Sequence, residues 1–163
     1  MEAYQIKSVA NAEMLMPLLI EALQNGQSVR FAPTGTSMRP MLRQGMDSVV
    51  LSPVTGKLKR FDLPLYRRDD GKYVLHRIVK AGEEYTCLGD NQFVMETGVR
   101  QDQMIAVVTA FYRREKKYPV THPGYRLYCR IWYHSRSLRR LFRPRRQRRP
   151  HPPRSRDAQA RCR

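Results

Sequence analysis

The stretch "GTSMRPML", residues 35–42, sets Ser37 in the kind of place a nucleophile needs. Glycine before it and proline after it favour a turn that exposes and fixes the side chain. A serine at neutral pH also needs a base, and residues 1–112 hold one histidine, His76; histidine is the side chain best matched to that task. In "KYVLHRIVK" a period of two groups His76 with Val74, Ile78 and Lys80, and puts Tyr73, Leu75, Arg77 and Val79 on the opposite face. On this pattern His76 lies among apolar neighbours, and Arg77 is a surface or salt-bridging group. Two carboxylates follow, Asp90 in the turn of "CLGDNQ" and Glu96 a few residues on. Either could accept the second ring N–H of a catalytic histidine, holding its tautomer and stabilising the imidazolium. An Asp in a turn also bonds readily to nearby backbone amides, so a structural role competes for Asp90.

These residues need a scaffold, and the sequence predicts a β-rich one. Residues 11–27 read as a helix, with Asn11 as cap, Met14, Leu15, Leu18, Leu19 and Leu23 at helical spacing, and Asn25-Gly26 as the stop. "SVRFAP" is a strand that delivers the Ser37 loop, and "DSVVLSP", "DLPLYRR", "KYVLHRIVKA", "EEYTCLG" and "QMIAVVTAFYRR" are five more. Asp69-Asp70-Gly71 joins the third and fourth as a hairpin. Successive hairpins favour antiparallel pairing, so the predicted body is mainly β with one N-terminal helix.

Charge divides the chain. Residues 1–112 carry 13 basic and 12 acidic side chains, a balance of +1, whereas residues 113–163 carry 18 and 2, a balance of +16. The expected organisation is a helical segment over residues 1–28, a domain over 29–115, and a basic extension over 116–163. Within that extension residues 124–142 form an expected amphipathic helix, with Trp132, Leu138 and Phe142 on an apolar side for membrane contact and arginine elsewhere. Beyond Pro144 the composition is that of disordered chain. Cys87, Cys129 and Cys162 make no CxxC pair, so neither a disulfide framework nor a zinc site is indicated, and no metal or other cofactor is expected. The longest apolar stretch, "MLMPLLI", is far short of a membrane span, and no signal-peptide pattern opens the sequence. The expected location is therefore cytoplasmic, with peripheral contact at the cytoplasmic membrane face.

Taken in order, "GTSMRPML", "DLPLYRRDDGKYVLHRIV", "CLGDNQ" and "QMIAVV" resemble the successive boxes of the S24/S26 serine peptidases, the group of signal peptidase I and the LexA-like peptidases. The resemblance covers about residues 29–112 and is closest to the signal peptidase branch that has histidine where other members have a lysine base. It implies an antiparallel, coiled β-sheet domain, with Ser37 as nucleophile and His76 as general base. Counting from the Gly-Asp-Asn box places the acidic partner at Glu96, where the family usually carries Asp, with Asp90 as rival. Gly35 stands where some relatives have a hydroxyl side chain. The Ser37 backbone N–H must then supply most of the oxyanion stabilisation, assisted by Thr36. Met38 and Pro40 beside the serine are the expected substrate contacts. The family's membrane-spanning segment has no counterpart in this sequence.

The function this implies is a serine endopeptidase that cuts a precursor or leader peptide, its substrate lying extended against a sheet edge. Two alternatives come from other classes. One is a nucleic-acid-binding or regulatory protein using the basic extension, since phosphate contacts reward arginine clusters. The near-neutral body lacks a helix-turn-helix or an aromatic RNA-binding signature, which weighs against it. The other is a peptide-binding relative without catalysis.

Overall fold

The computed structural model describes residues 4–5 and 12–141, with side chains from residue 15 onward. The expected roles of Asn11, Met14 and Phe142, and the expected disorder beyond Pro144, fall outside what is described. Among the described residues the chain is mainly antiparallel β-sheet with a few helices.

A short strand β1 (Tyr4–Gln5) precedes helix α1 (Ala12–Gln24). Met16, Leu19 and Leu23 recur at i, i+3 and i+7 and turn inward, whereas Leu18, expected on that face, is exposed. Then follow β2 (Val29–Phe31), β3 (Asp47–Pro53), β4 (Pro64–Arg67), β5 (Tyr73–Leu75), β6 (Arg77–Lys80), β7 (Tyr85–Leu88), β8 (Glu96–Val99), β9 (Met104–Arg113) and β10 (Lys116–Pro119). The large sheet runs β1-β2-β3-β9-β4-β5, with β10 also paired to β9, and β6-β7-β8 form a second sheet. Every pairing is antiparallel except β1 with β2. The Asp69-Asp70-Gly71 turn does join β4 to β5, in the register Arg67 to Tyr73, Tyr66 to Val74 and Leu65 to Leu75.

The departure that matters is at His76. The strand expected to run through "KYVLHRIVKA" is two strands: β5 pairs with β4 in the large sheet, and β6 pairs with β7 in the small one. His76 is the residue between them, where the chain leaves one sheet for the other. Both faces are covered at such a crossover, and Leu75, His76, Arg77, Ile78 and Val79 are consecutively buried in place of the expected alternation. Arg77 is thus no surface residue, although it does form an ion pair.

The division expected at residue 115 falls inside the β9–β10 hairpin, in the register Lys116 to Arg113. Helix α2 (Pro123–His134) begins at the cap His122, whose ring accepts the Gly124 N–H at 3.1 Å, and continues to α3 (Arg136–Leu141). Tyr125 and Cys129 of α2 are buried in the main core with Phe31, Met41, Leu51, Leu65 and Phe111. A smaller core of Tyr66, Ile78, Tyr85, Cys87 and Val99 lies beneath the second sheet. No described helix is long and apolar enough to cross a membrane.

Candidate active site

Ser37 sits in the turn after β2, where Gly35 takes φ +92°, a conformation that disfavours side chains. Ser37 and His76, far apart in sequence, line one cavity of about 250 Å³, together with Pro33, Thr34, Gly35, Met38, Arg68 and the β5 residues Tyr73, Val74 and Leu75. Ser37 is half-buried and His76 only 3% exposed. The Ser37 backbone N–H and hydroxyl bond to no other described residue, so both are available to a ligand. Met38 lines the cavity, whereas Pro40 is exposed and outside the lining. Thr36 also lies outside the lining, and its carbonyl accepts from Asn91 Nδ2 at 3.0 Å. Thr34, two residues earlier, does line the cavity.

The rival carboxylates separate cleanly. Glu96 Oε2 lies 3.7 Å from His76 Nδ1. Between them stands a residue that the sequence did not single out. The Tyr66 hydroxyl donates to Glu96 Oε2 at 2.8 Å and lies 3.4 Å from Nδ1. Having one proton, already directed at Glu96, Tyr66 offers its oxygen to an Nδ1–H. The imidazole is thereby held in the tautomer whose Nε2 carries the lone pair. Among the described residues none bonds to Nε2 and no buried side-chain nitrogen is orphaned, so Nε2 opens to the cavity. Arg68 grips Glu96 from the other side with two bonds of 2.6 and 2.7 Å. Hairpin register could have found Tyr66: it faces Val74 across the ladder, which makes His76 its diagonal neighbour on the same face. Arg68 carries no comparable signal.

Burial raises the Glu96 carboxyl, but the nearby His76 ring and the hydrogen bonds from Arg68 and Tyr66 outweigh it and hold the group well below the usual carboxylate range. Burial, Cys87 and the Glu96 charge push the Tyr66 phenol far above its ordinary value, so it remains a donor. Burial likewise pushes the nearby Cys87 thiol up to about 12, which leaves it protonated and unreactive. The Glu96 shift has a consequence for stability. The unfolded chain takes up this proton first as pH falls, so the stabilisation is complete above the ordinary carboxylate range, near pH 4.3, and is lost below it. Between pH 6 and pH 3, Glu96→Gln is expected to lose less melting temperature than the wild type, by about 4 °C. Parallel curves would remove Glu96 from this network.

Asp90 is not the histidine's partner. It is 4% exposed and forms a two-pronged ion pair with Arg77, at 2.8 and 2.9 Å. Burial alone would lower the Arg77 pKa, and the adjacent Asp90 carboxylate raises it well above its usual value. Arg77 also donates to Tyr125 Oη and Cys129 Sγ, both at 2.9 Å, and the Tyr128 hydroxyl donates to Asp90 at 3.2 Å. The turn containing Asp90 clamps the serine loop. The Asn91 N–H donates to the Ser37 carbonyl at 2.7 Å, and a Cβ on Gly89 would stand 2.8 Å from that same oxygen. Only glycine permits so close an approach.

Trp132 was expected on a lipid-facing side, and the structure overturns this. The side chain is half-buried, its indole N–H donates to the Asp90 carbonyl at 2.8 Å, and Arg139 stacks over its ring at 3.6 Å. Leu138 keeps its expected exposure. Among the described residues no group of His, Cys, Asp and Glu could hold a metal ion. Neither a family model, nor a curated protein, nor a solved structure matches the chain.

Proposed function

We propose that the protein is a serine endopeptidase of the S24/S26 type, closest to its Ser/His signal peptidase branch, which cleaves a precursor or leader peptide. The observation that carries this reading is the shared cavity of Ser37 and His76, with His76 Nδ1 turned to Tyr66 and Glu96. Ser37 Oγ attacks the scissile carbonyl, His76 Nε2 takes its proton and returns it to the leaving amine, and the Ser37 N–H faces the developing oxyanion. Tyr66 and Glu96 keep the ring oriented and stabilise its protonated form. A lysine base has no support. Lys72 and Lys80, the nearest in sequence, are both exposed and outside the cavity.

Substrate geometry follows from β5. It is the edge strand of the large sheet, its three residues line the cavity, and His76 comes directly after it. An extended peptide pairing with that edge passes the serine with its main chain in register.

The test is labelling by a fluorophosphonate probe, with the modified residue mapped by mass spectrometry. Adduct on Ser37 in the wild type, its loss in Ser37→Ala, and labelling about a hundredfold slower in Tyr66→Phe are expected. Phe in place of Tyr66 keeps the ring but removes the oxygen that receives Nδ1–H. No adduct at Ser37, or unchanged labelling in His76→Ala, would sink the hydrolase reading.

A further inference from the structure

The helical rod formed by α2 and α3 has two unlike faces. The ladder continues through their junction, with Ser135 N–H bonded to the Ile131 carbonyl and Arg139 N–H to the Ser135 carbonyl, both at 2.9 Å. Leu127, Ile131, His134, Leu138 and Leu141 therefore follow i, i+4, i+7, i+11 and i+14, one stripe along the rod. The inner face is occupied: Tyr125 and Cys129 are in the core, Trp132 bonds to the Asp90 carbonyl, and Arg136 donates to the Phe93 carbonyl at 2.6 Å. The outer stripe is uncovered, with Leu127, Ile131, Leu138 and Leu141 between 57% and 78% exposed. Other exposed large apolar side chains, Leu18, Met46 and Val94, come from three separate segments.

Charge identifies what this stripe meets. Residues 116–141 contain seven basic side chains and no carboxylate. Arg139 and Arg136 turn inward, whereas Arg126, Arg130 and Arg140 are exposed. Apolar side chains in line, flanked by arginines, fit a surface with an apolar interior beneath an anionic rim. Nucleic acid would use the arginines and leave the leucines in water. We propose that the outer face of the α2–α3 rod docks the protein on an anionic phospholipid surface, its leucines and Ile131 entering the headgroup boundary and its arginines meeting lipid phosphates. Membrane contact is thereby placed opposite Trp132, and it does not depend on the peptidase reading.

Co-sedimentation of the full chain with vesicles of equal parts phosphatidylglycerol and phosphatidylcholine tests this, against vesicles of phosphatidylcholine alone. Pelleting with the first and not the second is expected. Leu138→Ser with Leu141→Ser, both exposed and so of little consequence for folding, is expected to weaken partition about tenfold. Arg126→Gln with Arg130→Gln should weaken it about as much, and more so at low salt. The arginines beyond residue 141 are common to every variant. Trp132, the sole tryptophan, reads the orientation without any substitution, and its emission should hold steady on vesicle addition. Unchanged partition of the serine variant, equal pelleting with neutral vesicles, or strong quenching of Trp132 by brominated lipid would overturn the proposal. So would self-association, or retention on duplex DNA, in place of vesicle binding.

Discussion

Ser37→Ala and His76→Ala are each expected to abolish peptide cleavage, by about 10⁴-fold or more, in a protein that remains folded. The two groups act in one proton transfer, so removing either stops it and the double variant should be no slower than the singles. Ser37 is half-buried and its hydroxyl is bonded to no described residue, so alanine removes chemistry and little packing. His76 is buried, but its removal leaves the Tyr66 hydroxyl still donating to Glu96, so no polar group is orphaned. Steady-state rates on a cleaved peptide, read beside thermal melts of the same preparations, separate the two effects. Full activity in either folded variant would refute the assignment, and multiplicative losses in the double would show that the residues act independently.

The largest expected effect on stability lies at the ion pair beneath the serine loop. Asp90→Ala leaves the Arg77 guanidinium, 2% exposed, without its counter-charge, and such breakage costs about 3–5 kcal/mol. That is a large part of the roughly 5–15 kcal/mol that holds a domain folded. Arg77→Met should cost a comparable amount, since it strands the Asp90 carboxylate. The combination of Arg77→Met and Asp90→Leu should recover much of the loss, because an apolar pair has no charge to desolvate. Urea unfolding of the three variants measures the coupling. Losses under about 1 kcal/mol in the singles would mean that water reaches the pair. The turn that carries Asp90 also holds the Ser37 carbonyl through Asn91, so folded survivors of Asp90→Ala should cleave slowly with an unaltered pH profile. Had Asp90 been the histidine's partner, the profile itself would move.

Much of the scaffold was legible from residue pattern. Five of the six expected strands and the first helix lie where alternation and helical spacing put them, because burial on one face imposes a period on the sequence, and the sixth is split at His76. The Asp-Asp-Gly hairpin was equally plain, since few residues accept such a turn. Three strands escaped. β1 is two residues long, β8 "ETGV" has little apolar content, and β10 "KKYP" reads as charged tail until it is seen paired with β9.

The sequence by itself determined the inventory of candidate groups: one serine in a Gly/Pro-bounded turn, one histidine within residues 1–112, and two carboxylates with the choice between them open. Only the tertiary structure decided how they meet. The chain changes sheets at His76, and a period of two cannot announce a crossover, since it reports which faces are buried and not which neighbours bury them. That same change of sheets carries Arg77 inward to take Asp90 and leaves Glu96 to His76. The choice between the two carboxylates rests on distances of 3 to 4 Å between strands remote in sequence, and interactions of that range are fixed by packing. For the C-terminal rod, helical spacing was enough to predict two faces, but only docking against the Asp90 turn decided that Trp132 belongs to the inner one.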